Sequence, residues 1–206
     1  MKRKNGPIIV GVTGGSASGK SRLSKYLKRR LGARASVLCM DWYYRDRAGL
    51  SDEQMKRVNF DHPLAIETPL LLRHLDLLCS GQPVHAPTYH YASHSRTGEN
   101  RLVDPAPVLI IDGLFALCEP RVRARLDISV YIDVPADIRL VRRIRRDVEE
   151  RGVGLEETLR LYEHCVRPMH EKFVGASAKG ADFVWPQLKD DGFRKRLLDL
   201  IRKRLD

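Results

Sequence analysis

The chain has 206 residues, 43% of them hydrophobic, which suits one well-buried domain with room for a small lid or hairpin. Its longest apolar run, PVLIIDGLFALC, is well short of the roughly 18 residues of a membrane span, and the charged start MKRKNGPIIVGV lacks a secretory apolar core, so a soluble cytoplasmic protein is expected. Four cysteines without a CxxC pair argue against a zinc site and a disulfide framework, while a net charge of +11 fits nucleic acid, an anionic surface or a nucleotide substrate equally.

The first element is a strand over 8–12, IIVGV, leading into GGSASGKS and then a helical pattern over 20–31. The run Gly14, Gly15, Ser16, Ala17, Ser18, Gly19, Lys20, Ser21 fits G-x-x-x-x-G-K-[ST] in the required strand-to-helix setting. Its glycines let backbone N–H groups converge on phosphate oxygens at a helix N-terminus. Lys20 then neutralises the terminal phosphates and Ser21 ligates Mg²⁺. The loop implies a bound nucleoside triphosphate and leaves the acceptor open.

A second strand, 36–40, ends at Asp41. There a carboxylate either takes the proton of an attacking hydroxyl or caps the following loop. Asp61, in NFDHP, is open to two readings: an Asx turn, or a carboxylate that accepts hydrogen bonds from a vicinal diol. A helix follows over 63–79. The segment 82–104 then breaks the rhythm with prolines and aromatics and reads as a β-hairpin or irregular excursion. Within it, YHYASHSR brings His90 and His94 to one face of a strand. With no cysteine or intervening carboxylate, a metal site is not expected there, and Tyr91 takes no assigned role.

The strand over 108–111 closes on Asp112, placed to hold Mg²⁺. After a strand over 128–134 comes a helix over 135–151 with six arginines from Arg139 to Arg151. Leu140, Val141, Ile144 and Val148 fall on one face, and Arg139, Arg142, Arg143 and Arg146 on another. A solvated face and a nucleic-acid surface are alternatives to a lid over the triphosphate, which the loop favours. A helix over 155–173, a weak strand over 183–185 and a helix over 191–205 complete the chain. Alternating strands and helices predict an α/β fold of P-loop NTPase type: a mostly parallel sheet with helices on both faces, a hairpin and an arginine-rich lid, all in one domain over 1–206.

Together GGSASGKS, DWYY, NFDHP, PTYHYASHSR, RRIRRDVEERG, VRPMHEKFV and ADFVWP resemble the uridine kinase (uridine-cytidine kinase) family, from about Ile8 to Pro186. The resemblance implies transfer of the γ-phosphate of ATP, or GTP, to the 5′-hydroxyl of uridine or cytidine with Mg²⁺, by a homo-oligomer. It further implies Asp41 as base and Asp61 on the ribose hydroxyls. Tyr89 and His94 would contact the pyrimidine, Arg143 the sugar and phosphates, and Asp182 the ATP base, with Arg146 and Arg151 in the lid.

The chain departs from that pattern at a few places. His90 and Tyr91 stand where the family usually has Asp and Phe, and Asp112 where it has Glu. Val153 and Leu161 replace an Arg and a Gln of the substrate pocket. Lost hydrogen-bond partners weigh on base specificity more than on phosphoryl transfer. A kinase of another nucleoside or small alcohol is therefore the close alternative, and a nucleic-acid-binding regulatory NTPase the distant one.

Overall fold

The computed structural model describes residues 6–91, 93–188 and 192–206. Among the described residues seven strands run in chain order as β1 (Ile8–Gly14), β2 (Ala35–Cys39), β3 (Val84–His90), β4 (Ser95–Val103), β5 (Val108–Asp112), β6 (Ile128–Asp133) and β7 (Phe183–Pro186). Five form one parallel sheet in the order β2-β5-β1-β6-β7; β3 and β4 form a separate antiparallel hairpin. The near-continuous apolar strands require cover on both faces, and alternation divides the core in two. Ile9, Leu109 and Ile111 pack with Leu71, Leu75 and Leu78 of the helix Thr68–Cys79. Val10, Val12, Ile110 and Val130 pack with Leu23 and Leu27 of the helix Lys20–Leu31 and with Leu197 and Ile201 of the helix Phe193–Leu205.

Parallel register aligns the strand ends. Val12 pairs with Asp112, Cys39 pairs with Asp112, and Gly14 pairs with Ile132. The phosphate loop thus leaves the central strand between two neighbours, where open α/β sheets bind ligands.

Several elements differ from their sequence patterns. The helix expected over 63–79 is a short turn, Pro63–Ala65, followed by the helix Thr68–Cys79. Between them Ile66 is extended and bridges Tyr44. Both arginine-side helices widen from α geometry: Ala136–Arg145 continues as a wide π turn, Arg146–Glu150, and Leu155–Leu161 continues through wide turns at Tyr162–Val166 and His170–Val174. Pro168 has no N–H for the preceding turn, and the wide turn ahead of it absorbs that missing bond without ending the helix. The weak strand at 183–185 is a full parallel partner of β6. The last helix begins at Phe193; residue 191, where the periodicity began it, lies outside the described residues. All four cysteines are free thiols.

Candidate active site

Gly14 to Ser21 turn sharply at the end of β1. Gly14 has φ +147°, and a Cβ there would stand 2.6 Å from the Ile132 carbonyl oxygen, so only glycine fits between β1 and β6. Gly19 is the N-cap of the helix Lys20–Leu31, which has neither a side-chain cap nor an acidic residue in its first turn. No side chain therefore competes with an anion for the N–H groups at the start of that helix. Lys20 Nζ donates to the Gly15 carbonyl at 3.1 Å. Burial lowers the Lys20 pKa, opposed by the negative fields of Asp112 and Asp41. Two carboxylates thus offset part of the cost that burial puts on the charged lysine.

Asp112 closes β5 and is 4% exposed. Burial raises its pKa, with Lys20 and the Ser21 and Ser24 hydroxyls pulling the other way. A buried carboxylate beside the Ser21 hydroxyl is a hard oxygen donor set that fits Mg²⁺ shared with phosphates. Asp41 lies in the turn Met40–Tyr43 just after β2. Gly113 brings this turn against Asp112: a Cβ on Gly113 would lie 2.3 Å from Met40 Cβ. The Asp41 carboxylate accepts the Tyr91 hydroxyl at 3.0 Å. The turn in NFDHP is closed by Asn59, whose Oδ1 accepts the Asp61 N–H at 3.0 Å. The Asp61 side chain instead shares a narrow gap with Ser16, Leu114 and His170. Burial raises its pKa against the pull of Arg143 and Arg146.

The arginine helix follows its apolar stripe only in part. Arg139, Arg143 and Asp147, spaced by four, are buried, while Leu140 and Ile144 are half-buried and Val141 is 50% and Val148 40% exposed. The cause is satisfaction of the polar groups. Arg139 Nε donates to the Val134 carbonyl at 3.0 Å, and Arg143 Nη1 donates to Ser16 Oγ at 3.0 Å. Asp147 gathers Arg143 at 3.0 Å, Arg146 at 2.9 Å and Arg151 at 3.2 Å. Arg142 leaves this group and donates to Gln187 at 3.0 Å. Asp147 is the residue that motif reading passed over. Its signal was the i, i+4 spacing from Arg143 and to Arg151.

The hairpin supplies an aromatic cluster. Its register shifts between Pro87 and Thr88, so Val84, Ala86 and then Tyr89 face inward and His90 faces out. Tyr89 is inclined on Tyr44 at 5.1 Å, and Tyr44 meets Phe60 edge-on at 6.2 Å. Burial pushes the Tyr89 hydroxyl up to about 12, and among the described residues that hydroxyl has no hydrogen-bond partner. His94 is not on a strand with His90. It sits in the turn at φ +49° with its ring stacked on Phe60 at 4.3 Å, and burial lowers its pKa. His90 bonds Ser93 at 2.8 Å in the exposed turn. Phe60, one residue before Asp61, is a further member that the sequence reading missed. Arg96, the end of YHYASHSR, docks the hairpin through Glu67 at 2.8 Å and the Tyr44 carbonyl at 3.1 Å.

Asp182 stands apart from this group. It precedes β7 and accepts both the N–H and the hydroxyl of Ser129, near the start of β6, at 2.8 and 2.6 Å. That is three residues down the strand from Ile132, the partner of Gly14. The Asp182 carboxylate ties β7 to β6. Asp182→Asn is expected to cost about 1–3 kcal/mol in urea unfolding while KM for ATP stays unchanged. A raised KM with unchanged stability would assign Asp182 to the ATP base instead.

A strand edge that combines a phosphate-binding turn, a charged lysine flanked by carboxylates and a cluster of arginines defines a kinase of the P-loop class. The chain belongs to the Phosphoribulokinase / Uridine kinase family, whose model matches residues 9–193. It is 42% identical over 181 residues to a uridine kinase of Chloroflexus aurantiacus, covering 87% of each chain. It is 37% identical over 202 residues to one of Staphylococcus epidermidis, covering 98% of this chain and 96% of that one. Among solved structures, D-glycerate 3-kinase from Cryptococcus neoformans superposes with TM-score 0.61 at 18% identity, covering 83% of this chain and 81% of that one. Phosphoribulokinase from Rhodobacter spheroides superposes with TM-score 0.57 at 22% identity, covering 83% and 69%. These two share the fold.

Proposed function

We propose that the chain transfers the γ-phosphoryl group of ATP to the 5′-hydroxyl of uridine or cytidine. The observation that carries this reading is that Asp41 touches the hairpin aromatics through Tyr91 while its charge acts on Lys20 of the phosphate loop, which suits an acceptor held by the aromatic cluster of Tyr44, Phe60, Tyr89 and His94. The relatives named uridine kinase support the same choice.

On this reading Asp41 takes the proton of the 5′-hydroxyl as that oxygen attacks phosphorus. Lys20 and the loop N–H groups hold the phosphate oxygens, and Arg146 and Arg151 stabilise the charge that develops on them. Ser21 and Asp112 would hold Mg²⁺, which when bound neutralises phosphate charge. Asp61 holds the ribose hydroxyls, Arg143 orients sugar and phosphate, and Tyr89 and His94 meet the base edge. The unpartnered Tyr89 hydroxyl supports that last role, since a buried polar atom without a bond lacks what a ligand can supply.

A second reading, a kinase of altered base preference, draws on Val153 and Leu161, which offer no side-chain hydrogen bond to a base. In both readings the partner is a small molecule. The arginines gathered on Asp147 account for part of the positive charge without nucleic acid. No described helix is long and apolar enough to cross a membrane. A cytoplasmic location and a homo-oligomer belong to the same proposal. ADP release from Mg-ATP against uridine, cytidine, purine nucleosides, pantothenate and ribulose 5-phosphate tests it. The pyrimidine nucleosides are expected to give the largest kcat/KM; acceleration by another acceptor and by neither pyrimidine would overturn it.

A further inference from the structure

Tyr91 begins the turn between β3 and β4, one residue beyond the last strand residue, His90. Three contacts fix it. Its hydroxyl donates to Asp41 Oδ2 at 3.0 Å, its edge meets Tyr89 at 5.5 Å with the rings at 86°, and the Arg151 guanidinium lies 4.2 Å from the ring centroid. Arg151 is in turn held by Asp147 at 3.2 Å. Among the described residues no other side chain donates a hydrogen bond to the Asp41 carboxylate.

An aspartate on a short turn after a strand can rotate about both side-chain torsions, and only some rotamers aim an oxygen at an incoming hydroxyl. A donor fixed on Oδ2 narrows that choice and leaves Oδ1 to accept the substrate proton. A phenylalanine here would supply the ring and the arginine platform, but no donor.

We propose that Tyr91 is a positioning residue for phosphoryl transfer: its hydroxyl aims the Asp41 carboxylate, and Arg151, stacked on its ring, makes that aim depend on the arginine segment being in place. Tyr91 keeps its proton throughout. The inference rests on Asp41 being the general base, and the test separates the two claims.

Tyr91→Phe deletes only the hydroxyl and retains the ring for Tyr89 and Arg151. It is expected to lower kcat about 5- to 50-fold with KM for Mg-ATP within about twofold and an unchanged unfolding midpoint. In an Asp41→Asn background the same change should add no further loss, because residues acting as one unit are not additive. A Tyr91→Phe enzyme with the parent's kcat would overturn the proposal, as would an equal further loss in the Asp41→Asn background. Parental turnover in Asp41→Asn alone would instead remove the base assignment, and this inference with it.

Discussion

Asp41→Asn is expected to lower kcat by about 10²- to 10⁴-fold, with KM for Mg-ATP little changed. The amide is nearly isosteric and can still accept the Tyr91 hydroxyl on its carbonyl oxygen, so the turn Met40–Tyr43 and the hairpin contact have no reason to shift. What is lost is the proton acceptor. Lys20 also loses one of the two negative fields that oppose its desolvation, but Asp112, the stronger of them, remains. Steady-state kinetics of ADP release measure the effect, and near-normal turnover would remove Asp41 as base.

Asp147→Asn is expected to damage both stability and turnover, a combination that no loop residue of the site should produce. Asp147 is 3% exposed and is the shared counter-ion of Arg143, Arg146 and Arg151, of which Arg143 is itself buried. Neutralising it leaves guanidinium groups close together with no carboxylate between them. Breaking a buried ion pair from one side costs about 3–5 kcal/mol, and the amide recovers part of that, so a loss of about 2–4 kcal/mol is expected in urea unfolding. The arginines proposed to meet the phosphates would no longer be held in register. A loss of transition-state donors of this kind lowers kcat by about 10- to 10³-fold. An unchanged unfolding midpoint together with unchanged kcat would show that the three arginines hold their positions without Asp147.

The phosphate loop was legible because its chemistry is local. Gly14, Lys20 and Ser21 act through backbone turn geometry and helix-terminal N–H groups that a few consecutive residues determine. The parallel sheet was legible for a related reason: runs such as VLII, buried at every position, need cover on both faces. Asp41 and Asp112 could be assigned to one edge because every strand of a parallel sheet ends there.

Elsewhere local pattern and fold diverged. The arginine helix has an apolar stripe that periodicity assigns to the core, yet Val141 and Val148 are among its exposed positions and Arg139 and Arg143 lie inside. Periodicity weighs apolar transfer alone. It is blind to the carbonyl of Val134, the hydroxyl of Ser16 and the carboxylate of Asp147, which together outweigh the exposure of two valines. Asp182 makes a contact of the same kind: Ser129, 53 residues away in sequence, donates its N–H and its hydroxyl to that carboxylate.

YHYASHSR marks the boundary most plainly. Its residues alone identified an aromatic, hydrogen-bonding segment near the active edge. Strict alternation would have turned Tyr89 outward with His85, and it is the register shift at Pro87 that turns it inward toward Tyr44. The sequence by itself determined the class of chemistry, through a phosphate turn, strand-end carboxylates and a basic helix. Tertiary structure decided which side chains meet, including the Tyr91 hydroxyl on Asp41 and the three arginines on Asp147. The physical reason is that a side chain's task depends on which distant donor, acceptor or charge comes within about 3 Å of it, and a residue's own neighbours in sequence carry no record of that.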